Sequence, residues 1–185
     1  IPELNQPCVH DAFITKIDAS GSRLAYSARF GSVYGADQVF AVTVDAAGNA
    51  YVGGKYWGGI VDGDFANRQL APPNYASELG RAFAVKLNLA GTALAYALET
   101  GGSTASGIAV DSAGAAYVGG SLRTLEWYFN RDEEFDDAYV ARISPGGDAM
   151  DHRVMGYGGF DGVSGLALGP SGAVYVAGNT ASPEF

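Results

Sequence analysis

The chain has 185 residues, 48% of them apolar, with 27 Gly, 11 Tyr and 9 Phe but only 2 His and 1 Cys, enough for one domain with a core of its own. Acids outnumber bases 20 to 11, a net charge of −9, which excludes a binder of nucleic acid or anionic membrane, because phosphates and acidic head groups recruit Lys and Arg. A single Cys excludes a disulfide framework and a Cys-rich zinc site, and no apolar run approaches the ~18 residues that span a bilayer, so no direct membrane insertion is expected.

In chain order, the pattern is one of hairpins. From Asp11, DAFITKID places Phe13, Thr15 and Ile17 on one face and Ala12, Ile14 and Lys16 on the other, the period of two that marks a strand. ASGS supplies a turn, and LAYSARF resumes the alternation. A second hairpin follows from Val42, with VTVD, the turn AAGN, then AYVGG. Residues 55–80 form a long insertion, with a single helical turn expected at 74–79 and stopped by Gly80. The first hairpin then returns as RAFAVKLNLAGTALAYA from Arg81 and the second as IAVDSAGAAYVGG from Ile108. A second long loop, 121–136, precedes the third copies, DAYVARISPGGDAMDHR from Asp137 and LALGPSGAVYVAG from Leu166.

The repeat makes Phe13, Phe83 and Tyr139 equivalent, and likewise Tyr51, Tyr117 and Tyr175. Gly48, Gly114 and Gly172 fall at one turn position that requires a positive φ. Asp45 and Asp111 stand three residues earlier, placed to accept hydrogen bonds from turn amides; Gly169-Pro170 replaces that device in the third copy. Lys16, Lys86 and Arg142 also repeat, which points to a structural role, with the stem packed on a neighbour and the charge reaching an acid or water.

Four short strands per repeated unit are the signature of a β-propeller blade. DAFITKIDASGSRLAYS and VDAAGNAYVGG resemble the SBBP-type β-propeller repeat of large secreted or surface proteins of bacteria. The resemblance runs from Asp11 to about Gly178 and is strongest in the first two units; the third departs at Pro145-Gly146-Gly147, His152 and Gly169. It implies a fold and a location that is extracellular, cell-surface or periplasmic, and no particular activity. The expected fold is therefore all-β, a single domain over 1–185 with repeat units at 11–54, 81–120 and 137–178. From the centre outward the strands should run VTVD, AYVGG, DAFITK, LAYS, giving full four-stranded antiparallel blades near 39–99 and 107–155 and complementary half-blades near 12–30 and 164–178. The halves are able to close on each other within one chain, but three blades fall below the usual minimum of about four. Two solutions fit: a section of a longer propeller, which is preferred and agrees with a chain that opens on Ile1 without a signal peptide, or copies that complete each other's half-blades.

The long connections 55–80 and 121–136 emerge on one face of the disc, where binding residues of such scaffolds lie. Tyr56-Trp57 and Trp127-Tyr128 occupy both, beside Asp62, Asp64 and Arg131, the mixture of rings and orienting polar groups that a protein or sugar surface uses. The competing role for these rings is to cover the blade edge. Asp62-Gly63-Asp64 and the run from Asp132 to Asp137 offer oxygen ligands to Ca²⁺, yet match neither an EF-hand nor an RTX repeat; an exposed acidic run is usually a solvated loop, so no metal or other cofactor is expected. Catalytic signatures fail: His10 and His152 lack a triad context, Cys8 and His10 make no closed zinc site, Gly162-Val163-Ser164-Gly165 is not a nucleophile elbow, and Gly53-Gly54-Lys55-Tyr56 is not a phosphate loop. The expectation is a non-enzymatic structural or protein-interaction module, or an accessory subunit of a larger assembly, with a protein or further blades as partner. The alternative is a carbohydrate-binding propeller, calcium-assisted.

Overall fold

A computed structural model describes residues 10–32, 36–57, 60–63, 80–128, 131–156, 158–183 and 185, with the backbone alone for 32, 60–63, 124–128 and 131–134. The first strands are β1 (Ala12–Ile17), β2 (Leu24–Ser32), β3 (Gln38–Val44), β4 (Ala50–Tyr56), the short β5 (Ile60–Gly63), β6 (Arg81–Leu87) and β7 (Leu94–Glu99). Then come β8 (Thr104–Val110), β9 (Ala116–Tyr128), β10 (Arg131–Ile143), β11 (Met150–Met155), β12 (Gly162–Leu168) and β13 (Val174–Asn179). Among the described residues there is no helix, and every strand pairing is antiparallel. The helical turn expected at 74–79 lies outside them.

Four sheets result, ordered β1-β2-β5, β3-β4-β6-β7, β8-β9-β10-β11 and β12-β13. Both four-stranded sheets follow the expected order, and the two-stranded hairpins β1-β2 and β12-β13 flank them. β1 and β13 do not pair, so among the described residues the four sheets remain separate and no closed ring forms. One expectation is corrected: residues 121–136 are no loop, because β9 and β10 continue through them as a hairpin with Trp127 opposite Asp132 and Tyr128 opposite Arg131.

The sheets pack face to face in chain order. Alternation along each strand sends successive side chains to opposite neighbours. Phe83, Val85 and Leu87 of β6 meet Ala12, Ile14, Ala28 and Phe30 of the first sheet in one core cluster. Ala82 and Ala84, from the other face of β6, join Tyr51 and Tyr96 against Ile108, Val118, Tyr139, Ala141 and Ile143 of the third sheet. Covered on both faces, β6 reads RAFAVKL, a nearly continuous apolar run. Phe83 meets Phe30 and Tyr56 edge-on, with ring centroids 6.0 and 6.1 Å apart.

The recurring YVGG motif has a steric cause. Each inner strand bulges as it enters its sheet, between Val39 and Ala41, Ala105 and Gly107, and Val163 and Gly165. Just before each bulge a carbonyl oxygen comes close to the second glycine of the neighbouring strand. A Cβ at Gly54, Gly120 or Gly178 would stand 2.0, 1.9 or 2.0 Å from the oxygen of Gln38, Thr104 or Gly162.

The turns behave as their residues require. Gly48, Gly114 and Gly172 take φ of +87°, +87° and +80°, and each N–H donates to the carbonyl three residues back. Asp45 accepts the Asn49 N–H at 2.9 Å, Asn49 Nδ2 at 2.8 Å and the Tyr51 hydroxyl at 3.0 Å; Asp111 accepts the N–H groups of Ala113 and Ala115, both at 2.9 Å. Burial pushes the Asp45 carboxyl up, but the donors from Asn49 and Tyr51 outweigh it and hold its pKa below the ordinary 3.8. A depressed carboxyl contributes stability that is complete above pH 3.8 and is lost as pH falls through the folded value. Urea midpoints measured from neutral pH to below 3.8 are therefore expected to drop on the acid side, and Asp45→Asn to flatten that drop. An equally steep drop in Asp45→Asn would refute the assignment.

Candidate functional site

The end of the sheets where β4 leaves and β6 returns carries the sequence-expected binding residues. Tyr56 is not on its surface. The ring is fully buried against Phe83, and its hydroxyl donates to Glu99, which also accepts from Arg81 Nη1 at 3.1 and 2.9 Å. Burial first, and then the Glu99 carboxylate, drive the Tyr56 pKa far up, so the hydroxyl stays a proton donor. This Tyr56–Glu99–Arg81 group was missed in the sequence because Glu99 and Arg81 stand 18 residues apart, on two strands whose pairing fixes their approach.

Trp57, the next residue, is half-buried, and the Lys55 ammonium lies 4.6 Å from its ring centroid, so one face of the indole is already occupied by a cation. Burial and the nearby Arg123 lower the Lys55 pKa, with Asp136 opposing them. Arg123 Nε meets Asp136 Oδ1 at 3.3 Å across the β9–β10 ladder. Repeat equivalence through Tyr51 and Tyr117 makes Arg123, and not Trp127, the counterpart of Trp57. Lys55, over Trp57 at the rim of the second sheet, thus lies within electrostatic reach of the Arg123–Asp136 pair at the rim of the third.

The other expected site residues are placed by backbone alone. Asp62 lies in β5, opposite Gly31 of β2, while Trp127, Tyr128 and Arg131 sit at the tip of the β9–β10 hairpin. Their side chains, and the whole of Asp64, fall outside the described residues. The acidic run from Asp132 to Asp137 divides: Asp136 holds Arg123 and Asp137 is buried. Among the described residues no three His, Cys, Asp or Glu side chains gather as a metal site. His10 and His152 are both exposed, and Cys8 lies outside the described residues.

A second concave region went unnoticed in the sequence. The fourth sheet packs through β12 on β8, β9 and part of β10, and beside it lies a groove lined by Tyr117, Val140, Arg142, Asp151, Met155 and Val176. Arg142 crosses its floor, with Nε donating to the Tyr117 hydroxyl at 3.1 Å.

Both regions offer apolar area with fixed charges at the margin, an arrangement suited to recognition. In comparisons with known proteins, no family model matches the chain and no curated protein matches it.

Proposed function

We propose that this chain is an arc of a β-propeller of the SBBP-repeat type, acting as a non-enzymatic structural or protein-interaction module of a secreted or surface-exposed bacterial protein. The observation that carries the reading is a contrast between equivalent positions. Phe83 and Tyr139 are 0% and 1% exposed inside the stack, whereas Phe13, their counterpart at its end, is 69% exposed. Tyr51 is likewise 0% exposed and Tyr175 66%. Apolar faces built to the same pattern as buried ones call for a cover, and contact with protein is what supplies it. The rim that carries Lys55, Trp57, Arg123 and Asp136, together with the hairpin bearing Trp127 and Tyr128, is the surface assigned to the partner.

The test is a binding screen of the intact chain against arrays of extracellular bacterial proteins and of glycans, in Ca²⁺ and in EDTA. The Trp57→Ala/Trp127→Ala double variant is expected to keep its far-UV circular dichroism and to lose at least about tenfold in affinity for a protein partner, the order of one truncated aromatic anchor. Unchanged binding would remove those residues from the site. A glycan signal abolished by EDTA would replace the protein partner with a calcium-assisted carbohydrate, and turnover of any substrate would overturn the non-enzymatic reading.

A further inference from the structure

We propose that the rim carrying Lys55 and Trp57 holds a binding site for a single carboxylate, anchored by the Lys55 ammonium, and that a protein partner fills it with an aspartate or glutamate side chain. The inference rests on the recognition reading of this rim and adds the chemistry of the contact. The residues involved lie on or beside β4, β6, β9 and β10, strands of the two complete sheets.

Lys55 carries a charge with no acid against it. It is half-buried, and among the described residues its ammonium makes no ion pair and no hydrogen bond. What it meets is the Trp57 ring, 4.6 Å from nitrogen to centroid, which engages one side of a group with three donors. Burial first, and then Arg123, make the charge costly, and Asp136 opposes them. A carboxylate set beside the ammonium would offset both costs. The lysine is also held in place. Its stem lies across Gly80, where an added Cβ would stand 2.2 Å from Cε and 3.1 Å from Cγ. Gly80 takes a φ of +69°, so a side chain there would be strained as well as in the way. The ammonium is therefore positioned before a ligand arrives, which lowers the cost of binding.

Comparison between repeats identifies the absent group. In the third sheet Arg123 stands opposite Asp136 and pairs with it at 3.3 Å. The equivalent residues of the second unit are Trp57 and Gly80, a ring and no side chain. The third rim thus supplies its own carboxylate, whereas the second has a cation and a ring with no acid opposite. At the place of Lys55 the other units have Ser121 and Asn179, short and uncharged, so the fold itself does not call for a cation there. Charge complementarity selects one carboxylate and not a polyanion. Asp136 already acts on the same ammonium, and a chain of net charge −9 repels phosphate-rich or polyuronate ligands at longer range. An aspartate or glutamate on a protein surface meets both conditions, and Trp57 offers ring surface for the residues around it.

The chain has three lysines, Lys16, Lys55 and Lys86, so reductive methylation with carbon-13-labelled formaldehyde gives one side-chain NMR signal for each and keeps the charge. Lys55→Gln identifies the signal of Lys55. The full chain is titrated at fixed ionic strength with the capped tripeptide Gly-Glu-Gly and, separately, with Gly-Gln-Gly. The Glu peptide is expected to shift the Lys55 signal saturably and leave Lys16 and Lys86 in place, and the Gln peptide to shift none. No shift at Lys55, equal shifts at all three lysines, or an equal effect of the Gln peptide overturns the proposal. For a protein partner, Lys55→Gln is expected to keep the circular dichroism and weaken binding about 10–100-fold, the range for one hydrogen bond to a charged group. If Trp57→Ala/Trp127→Ala weakens that partner while Lys55→Gln does not, the carboxylate site falls and the recognition rim stands. If neither variant weakens it, both fall. A Lys55 shift produced by a galacturonate oligomer and not by the Glu peptide would overturn the protein as the source of the carboxylate.

Discussion

Phe83→Ala is expected to cost about 3–5 kcal/mol of unfolding free energy, the range for deleting a buried phenyl ring. Phe13→Ala, at the equivalent position of the first unit, is expected to change it by no more than about 0.5 kcal/mol, as at an exposed site. The two residues share a motif and a place in a strand; the difference lies in what faces them. Phe83 touches Phe30 and Tyr56 edge-on and leaves no surface to water, so its removal opens a cavity between the first and second sheets. Phe13 is 69% exposed and has little packing to lose. Urea denaturation of each variant beside the unaltered chain measures both. Equal losses would mean that the end face is covered within the single chain, and would remove the exposed-end argument.

The second large effect concerns glycine pairs. Gly120→Ala and Gly54→Ala are each expected to lose about 1–3 kcal/mol or more, the range for overpacking, because the added carbon meets a backbone oxygen that no rotamer change can move. The distances to be relieved, 1.9 Å from Thr104 and 2.0 Å from Gln38, require the bulge itself to shift. Gly53→Ala is the control: its Cβ would sit 3.4 Å from the Ala105 Cβ, close to ordinary contact. The chain already makes that substitution, with Ala177 at the equivalent place in the third unit, while the second glycine is retained in all three. Thermal or urea unfolding of the two single variants checks the contrast. A Gly54→Ala protein as stable as Gly53→Ala would mean that the bulge carbonyl is not where the structure puts it.

The acid-side loss of stability assigned to Asp45 and the recognition role assigned to Trp57 and Trp127 belong to single turns and to one rim.

The strands, their order and the turns were legible because their causes are local. A period-two alternation, a Gly at a positive-φ position and an Asp three residues before it act over a few neighbours, and the threefold recurrence of Phe13, Phe83 and Tyr139 multiplies the signal. Local cause also explains why the third unit keeps its turns despite its changed residues: Gly147 at φ +76° donates to Ser144, as Gly91 donates to Asn88. The hairpin over 121–136 was read as a loop because charges in RDEEFDD mask the alternation, and only pairing of β9 with β10 completes it.

What the tertiary structure decided is which copy of each repeated residue is covered. Nothing near Tyr56 marks it for the interior and Trp57 for the rim; Phe83 and Glu99, brought in by strand pairing, do that. Phe13 and Phe83, or Tyr175 and Tyr51, have closely similar sequence surroundings and opposite exposure. Secondary structure follows from the chain's own dihedral and side-chain preferences, which travel with every repeat. Burial depends on the presence of a neighbouring sheet, and that changes at the ends of the stack.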